Sequence, residues 1–99
     1  MKSAPKKKIA VLPPERIGNK VFIRTVAYFY TGEIVALTKE TITLAKAAWI
    51  PETGRFADAM KFGLFNEVEP YPDTMLVSVN RGAIGDVCDW PHALPQEQK

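Results

Sequence analysis

The sequence predicts a mainly β domain with one short helix in a long inserted loop. Three observations carry this. Val21 to Tyr30, and then Ile34 to Leu44, are rich in β-branched and aromatic residues that alternate in the two-residue rhythm of a pleated strand. Glycine and proline punctuate the chain at short intervals. No segment offers a long amphipathic helical pattern, and 99 residues suit one core rather than two.

Residues 1–14 hold Lys2, Lys6, Lys7 and Lys8 and three of the eight prolines, with little amphipathic pattern, and read as an extended basic arm. Pro14 to Gly18 fits one helical turn, proline opening it and glycine stopping it. The domain proper is expected over residues 15–90. In its first strand Val21, Ile23, Thr25 and Ala27 alternate with Phe22, Arg24, Val26 and Tyr28. Thr31-Gly32 interrupts the pattern, as a bend or bulge in a strongly curved strand would. Thr38-Lys39-Glu40 is the polar hairpin connection to a second alternating series at Ile42, Leu44 and Lys46.

Residues 49–73 do not alternate and contain Pro51, Gly54, Gly63, Pro70 and Pro72, so they read as a long inserted connection. Thr53 is placed to cap a helix running to Lys61, with Phe56 and Met60 on one face and Gly63 beyond its end. Trp49, Trp90, Phe56, Met60, Phe62, Leu64 and Phe65 give this insertion enough apolar surface to pack on something, for which an adjacent subunit is one candidate. Met75 to Val79 then makes a strand, Asn80-Arg81-Gly82 a tight turn and Ala83 to Val87 the last strand, leaving 91–99 as a tail.

Several function classes find no footing. No apolar run reaches bilayer length, and the stretch Ile9 to Leu12 stops at Pro13, too short for a secretory core; a cytoplasmic, non-membrane protein is expected. Cys88 is the single cysteine and reads as a buried, inert thiol. His92 is the single histidine, with no cluster around it for a metal or a nucleophile. Glu67, Glu69 and Asp73 lie in a proline-rich loop and read as solvated. Neither an enzyme nor a cofactor is expected. A net charge of +2 is too small for a global field that captures nucleic acid, although the lysines crowd the first segment and the carboxylates the second half.

Two stretches carry a family resemblance. Tyr30-Thr31-Gly32-Glu33-Ile34-Val35-Ala36-Leu37 followed by Thr41-Ile42-Thr43-Leu44 resembles the first motif of the Sm-like family, and Val77-Ser78-Val79-Asn80-Arg81-Gly82-Ala83-Ile84 resembles the second. The likeness covers about Val21 to Val87 and points to a divergent bacterial or phage-encoded member. It implies a small, strongly bent five-stranded barrel whose edges pair between copies, closing a homo-oligomeric ring of five to seven subunits. It also implies a pore lined by the hairpin and the second-motif turn, so that Lys39, Thr41, Asn80, Arg81 and Gly82 become the candidate residues for RNA or single-stranded nucleic acid.

Thr38 and Thr41 stand where family members carry an Asp and, in archaeal and eukaryotic forms, a uracil-reading Asn, so base-specific readout is not implied. Arg81 has two readings of equal weight: pairing with phosphate or base, or a structural role in pinning its own turn or bridging to a neighbouring subunit through Asp86 or Asp89. Lys39 is either part of a positive rim or a solvated turn residue. Asn80 and Gly82 are more simply explained by the turn itself. Of Tyr28, Phe29 and Tyr30, one or two must face the core, and the remaining ring is expected to seal a subunit contact. Two other functions compete with nucleic-acid binding: an adaptor ring docking a protein partner, and a ring that sequesters a small nucleotide.

Overall fold

A computed structural model of the chain describes residues 11–99, so Lys2, Lys6, Lys7 and Lys8 of the expected arm lie outside the described residues. The described chain forms six strands, one α-helix and one 3-10 turn. They are β1 (Lys20–Thr25), β2 (Phe29–Leu37), β3 (Thr41–Glu52), α1 (Phe56–Phe62), β4 (Glu67–Pro70), β5 (Val77–Asn80), the 3-10 turn Arg81–Ala83 and β6 (Ile84–Asp89). All pairings are antiparallel, in the order β4-β3-β2-β1-β6, with β5 also on β3. The mainly β expectation is met. The count is six strands rather than five, and the sheet is not closed into a barrel by hydrogen bonds.

The strand beyond the expected five is β4, inside the inserted segment, and a second departure interrupts the unbroken pleating that the sequence suggested from Val21 to Tyr30. The hydroxyl of Thr25 accepts from the backbone N–H of Ala27 at 3.2 Å and of Tyr28 at 2.7 Å, while Thr25 N–H donates to the Tyr28 carbonyl at 2.8 Å. A local side-chain bond of this kind offers the backbone an alternative to the ladder. The chain therefore turns at Val26-Ala27, and β1 pairs back onto β2. Thr38 repeats the device between β2 and β3, accepting from the N–H groups of Glu40 and Thr41; here the expected hairpin is present.

The bend at Gly32 also exists, in a more specific form. Between Thr31/Ala48 and Glu33/Ala45 the register slips, with Lys46 at φ 52° as the extra residue of β3. A Cβ on Gly32 would sit 2.9 Å from the Leu44 Cβ, so only glycine lets the strands approach this closely at the bulge.

Two apolar clusters occupy the two faces. Val21, Ile23, Ile34, Ile42, Leu44, Ala47 and Val79 form one, with Ile84 and Val87 of β6 packed against it. Phe22, Ala48, Ile50, Ala59, Phe65, Val68 and Trp90 form the other. Alternation along β1 feeds both, because Phe22 points away from Val21 and Ile23. The inserted segment thus packs within its own chain, on the second face. Phe65 stacks on Trp90 at 5.0 Å and on Phe22 at 5.8 Å, and each such ring removed from water stabilises the layer by about 1.5–3 kcal/mol.

The insertion departs from expectation at both ends. β3 runs on to Glu52, and β4 pairs with its last part, so only the middle is irregular. Helix α1 begins at Phe56 and not after Thr53. Its N-cap position is Arg55, without a side-chain cap, while the Thr53 hydroxyl donates to the Gly54 carbonyl. Gly63 ends the helix as expected, at φ 72° with its N–H on the Ala59 carbonyl. Pro14 to Gly18 makes no helix; a single turn there is closed by Asn19 N–H on the Arg16 carbonyl at 3.1 Å. The last strands are shifted toward the C-terminus, to Val77–Asn80 and Ile84–Asp89. The end of the chain is pinned, with Val68 and Lys99 exchanging two backbone hydrogen bonds along the outer side of β4.

Candidate nucleic-acid interface

The hairpin between β2 and β3 and the turn between β5 and β6 meet at one end of the sheet. Thr41 lies opposite Asn80 in the β3–β5 ladder. Arg81 N–H donates to the Glu40 carbonyl at 2.8 Å, and its Nε donates to the Thr38 carbonyl at 2.8 Å. Lys39 projects from the hairpin and is exposed. All five sequence-derived candidates, Lys39, Thr41, Asn80, Arg81 and Gly82, are thus brought to one rim of the fold by two β turns.

Most of their polar groups are already engaged. The Asn80 Oδ1 accepts from Gly82 N–H at 2.8 Å and so caps the 3-10 turn. The Thr41 hydroxyl lies 2.9 Å from that of Thr38. Arg81 pairs through a terminal nitrogen with Glu15, which draws the segment before β1 onto the same rim. Arg81 therefore ties three pieces of chain together, and a guanidinium so held retains only part of its fork for a ligand. Lys39 is the exposed cation of the rim, with no hydrogen bond or ion pair from its side chain among the described residues.

A second feature lies on the face of the first cluster, toward the β1–β2 turn. Directly opposite residues on neighbouring strands share a face, and the register gives the row Val87, Ile23, Tyr30, Trp49 and Glu69 across five strands. Tyr28 meets Trp49 edge to face at 5.6 Å. Together with Tyr71, these rings line a notch of about 240 Å³, adjoined by a hollow of about 250 Å³ along Ala27, Tyr28, Phe29, Trp49, Ile50 and Pro51. The Tyr30 hydroxyl is held above its ordinary pKa by burial first and then by the neighbouring phenols of Tyr71 and Tyr28, so the three rings converge. In the sequence the Tyr28-Phe29-Tyr30 triplet and Trp49 are separate features. Pairing of β2 with β3 unites them, and Tyr71 between two prolines was the signal passed over.

The remaining single-residue candidates fall into structural places. Cys88 is half-buried rather than fully buried, and its thiol is pushed above the ordinary range by burial, then by Asp86 and Asp89. His92 sits 4.8 Å from Trp90, with its Nε2 2.7 Å from the Met60 carbonyl, which makes that nitrogen the donor. It fastens the tail to the end of α1. Among the described residues no group of three His, Cys, Asp or Glu side chains is arranged to hold a metal, and no helix is long and apolar enough to cross a membrane. No family model, curated protein or solved structure matches the chain.

Proposed function

We propose that this protein is a non-catalytic, Sm-like module that assembles edge to edge into a closed ring and contacts RNA or single-stranded nucleic acid at the rim built from Lys39, Thr41, Asn80, Arg81 and Gly82. The observation that carries the reading is the path of the sheet. β5 and β6 form its extreme edges on the first-cluster face, are joined through one 3-10 turn, and pair inward only with β3 and β1. Two such strands, of four and six residues, present bare backbone groups on their outer sides among the described residues. An edge of this kind is a template for pairing, and β5 of one copy against β6 of the next blunts both. Curvature supplied by Gly32 and Lys46 suits closure into a barrel-like protomer. Ring symmetry then repeats the exposed Lys39 around one axis and converts a weak single contact into a multivalent one.

Native mass spectrometry combined with fluorescence anisotropy tests this. The full chain is expected to run as a species of five to seven copies and to bind short homopolymeric RNA with an affinity that falls as salt rises. Lys39→Glu is expected to weaken that binding and flatten its salt dependence without altering the subunit count. A monomer at micromolar concentration, or RNA affinity indifferent to Lys39→Glu, overturns the reading. A protein-docking role is the second reading, and the aromatic notch at the other end of the same face favours it.

A further inference from the structure

We propose that the notch between Tyr28, Tyr30, Trp49 and Tyr71 is a docking site for an extended peptide segment of another protein, one that carries lysine or arginine beside proline. The site is separate from the candidate rim and stands or falls independently of it.

The shape is the first argument. Tyr28 is half-exposed at 51%, and its ring stands across Trp49 at the lip of the notch, so aromatic faces are presented to solvent instead of being closed into the core. Such faces accept the flat rings of proline and the aliphatic stem of a long cationic side chain, and they attract the cation itself through the ring quadrupole. Proline-rich segments arrive already extended, and their carbonyls have no internal partners. The phenol hydroxyls around the notch are donors able to serve them.

Charge is the second argument, and it selects among occupants. Glu69 lies directly opposite Trp49 and therefore shares its face. Val68 between Glu67 and Glu69 points into the second cluster, which puts Glu67 beside Glu69, and Glu52, opposite Glu67, faces the same way. Neither Ala47 to Thr53 nor Asn66 to Asn80 contains a lysine, arginine or histidine. The border beside the notch is therefore acidic: Glu69 flanks Trp49, with one carboxylate oxygen 3.3 Å from Gln98 Nε2, and Glu52 and Glu67 lie further along the same face, Glu52 accepting from Gly54 N–H at 3.1 Å. An aromatic platform with a basic border would suit stacked bases and phosphate; this border repels phosphate and attracts a cationic peptide. The sequence pattern alone reads Glu67 and Glu69 as solvated loop carboxylates, whereas strand β4 turns them into one edge of a site.

The test uses the full chain and a short fluorescent peptide of Pro-Pro-Lys repeats, followed by anisotropy and by tryptophan emission. Saturable binding is expected, at least tenfold weaker for Glu69→Gln and for Tyr28→Ala. Both substituted residues lie at the notch edge, and thermal melts confirm that each variant is folded. A matched Pro-Pro-Glu peptide is expected not to bind, and Lys39→Glu is expected to leave the Lys peptide's affinity unchanged. Equal binding of the acidic peptide, tighter capture of oligouridine by the notch, or no saturation in any variant overturns the proposal. So does carbodiimide coupling of Lys6, Lys7 or Lys8 to Glu69 in the absence of peptide, since the chain's own N-terminal segment would then be the occupant.

Discussion

Thr31 offers a sharp test of the packing, because replacing it with valine should make the protein more stable. Its side chain lies between Phe22 on β1 and Ala48 on β3, and all three residues have no exposed surface. The Thr31 hydroxyl is one of two buried side-chain polar atoms without a hydrogen-bond partner among the described residues, Trp49 Nε1 being the other. Leaving a hydroxyl unpaired in such a place costs about 1–3 kcal/mol. Valine keeps the shape, swaps the hydroxyl for a methyl and suits a strand at least as well. A gain of about 1–2 kcal/mol is expected for Thr31→Val, and each kcal/mol moves the midpoint of a domain this size by roughly 4–8 °C. Thr31→Ser keeps the unpaired hydroxyl and loses the methyl, so it should fall by about 1 kcal/mol. Thermal and urea unfolding followed by circular dichroism, at one fixed protein concentration, measures both changes. A loss of 1 kcal/mol or more in Thr31→Val would mean that the hydroxyl is bonded, and the dry reading of the second cluster would be wrong.

Three further outcomes are expected. Gly63→Ala forces a Cβ to within 2.4 Å of the His92 ring at a backbone φ of 72°, so it should cost about 2–4 kcal/mol and loosen the C-terminal tail, read by proteolysis and urea midpoint. Arg81→Ala frees the Thr38 carbonyl and Glu15, both on a partly exposed rim, and should cost about 1 kcal/mol, with Arg81→Lys recovering only part because an ammonium is a point charge rather than a fork. Asp86 is held below the ordinary carboxylate range chiefly by its hydrogen bonds from Arg24. A depressed folded pKa gives stability that is present above the unfolded Asp value near 3.9 and is lost as pH falls through the folded value. Asp86→Asn should therefore lie below the parent at pH 7 and converge with it under acid, and urea midpoints that differ equally at pH 7 and at pH 2 would contradict this.

Strand content, the hairpin interruption after β2 and the bulge glycine were legible because each depends on local chemistry. Residues 21–25 and 41–45 alternate strongly enough to fix their faces, and Gly63 marked the helix end by the same backbone rule that operates in the structure. The break after Thr25 was not legible. Nothing in the alternation of Val21 to Tyr30 announces it, and one threonine hydroxyl satisfying two backbone N–H groups outweighs a strong strand pattern. β4 was hidden for the opposite reason, since Glu67 to Pro70 has no apolar alternation beyond Val68, and only the exposed flank of β3 gives it a partner. The candidate rim was legible as a list of residues from two turns. The internal use of Arg81 by Glu15 was not, because 66 positions separate them.

The two faces of the sheet differ in how completely the chain covers them. On the second face the chain covers itself, since α1, Phe65, Val68 and Trp90 close over Phe22 and Ala48, and every large ring there finds another ring. On the first face the cover is incomplete. β5 and β6 border a cluster whose far end opens into the notch of Tyr28, Trp49 and Tyr71, and apolar surface left open beside a small core asks for material from outside the chain. Edge pairing between copies would cover the β5–β6 side, and a cationic proline-bearing segment would cover the notch. The two occupants act at opposite ends of one face. A variant that removes either should therefore leave the other measurable, and that separability distinguishes two binding surfaces from one sticky patch.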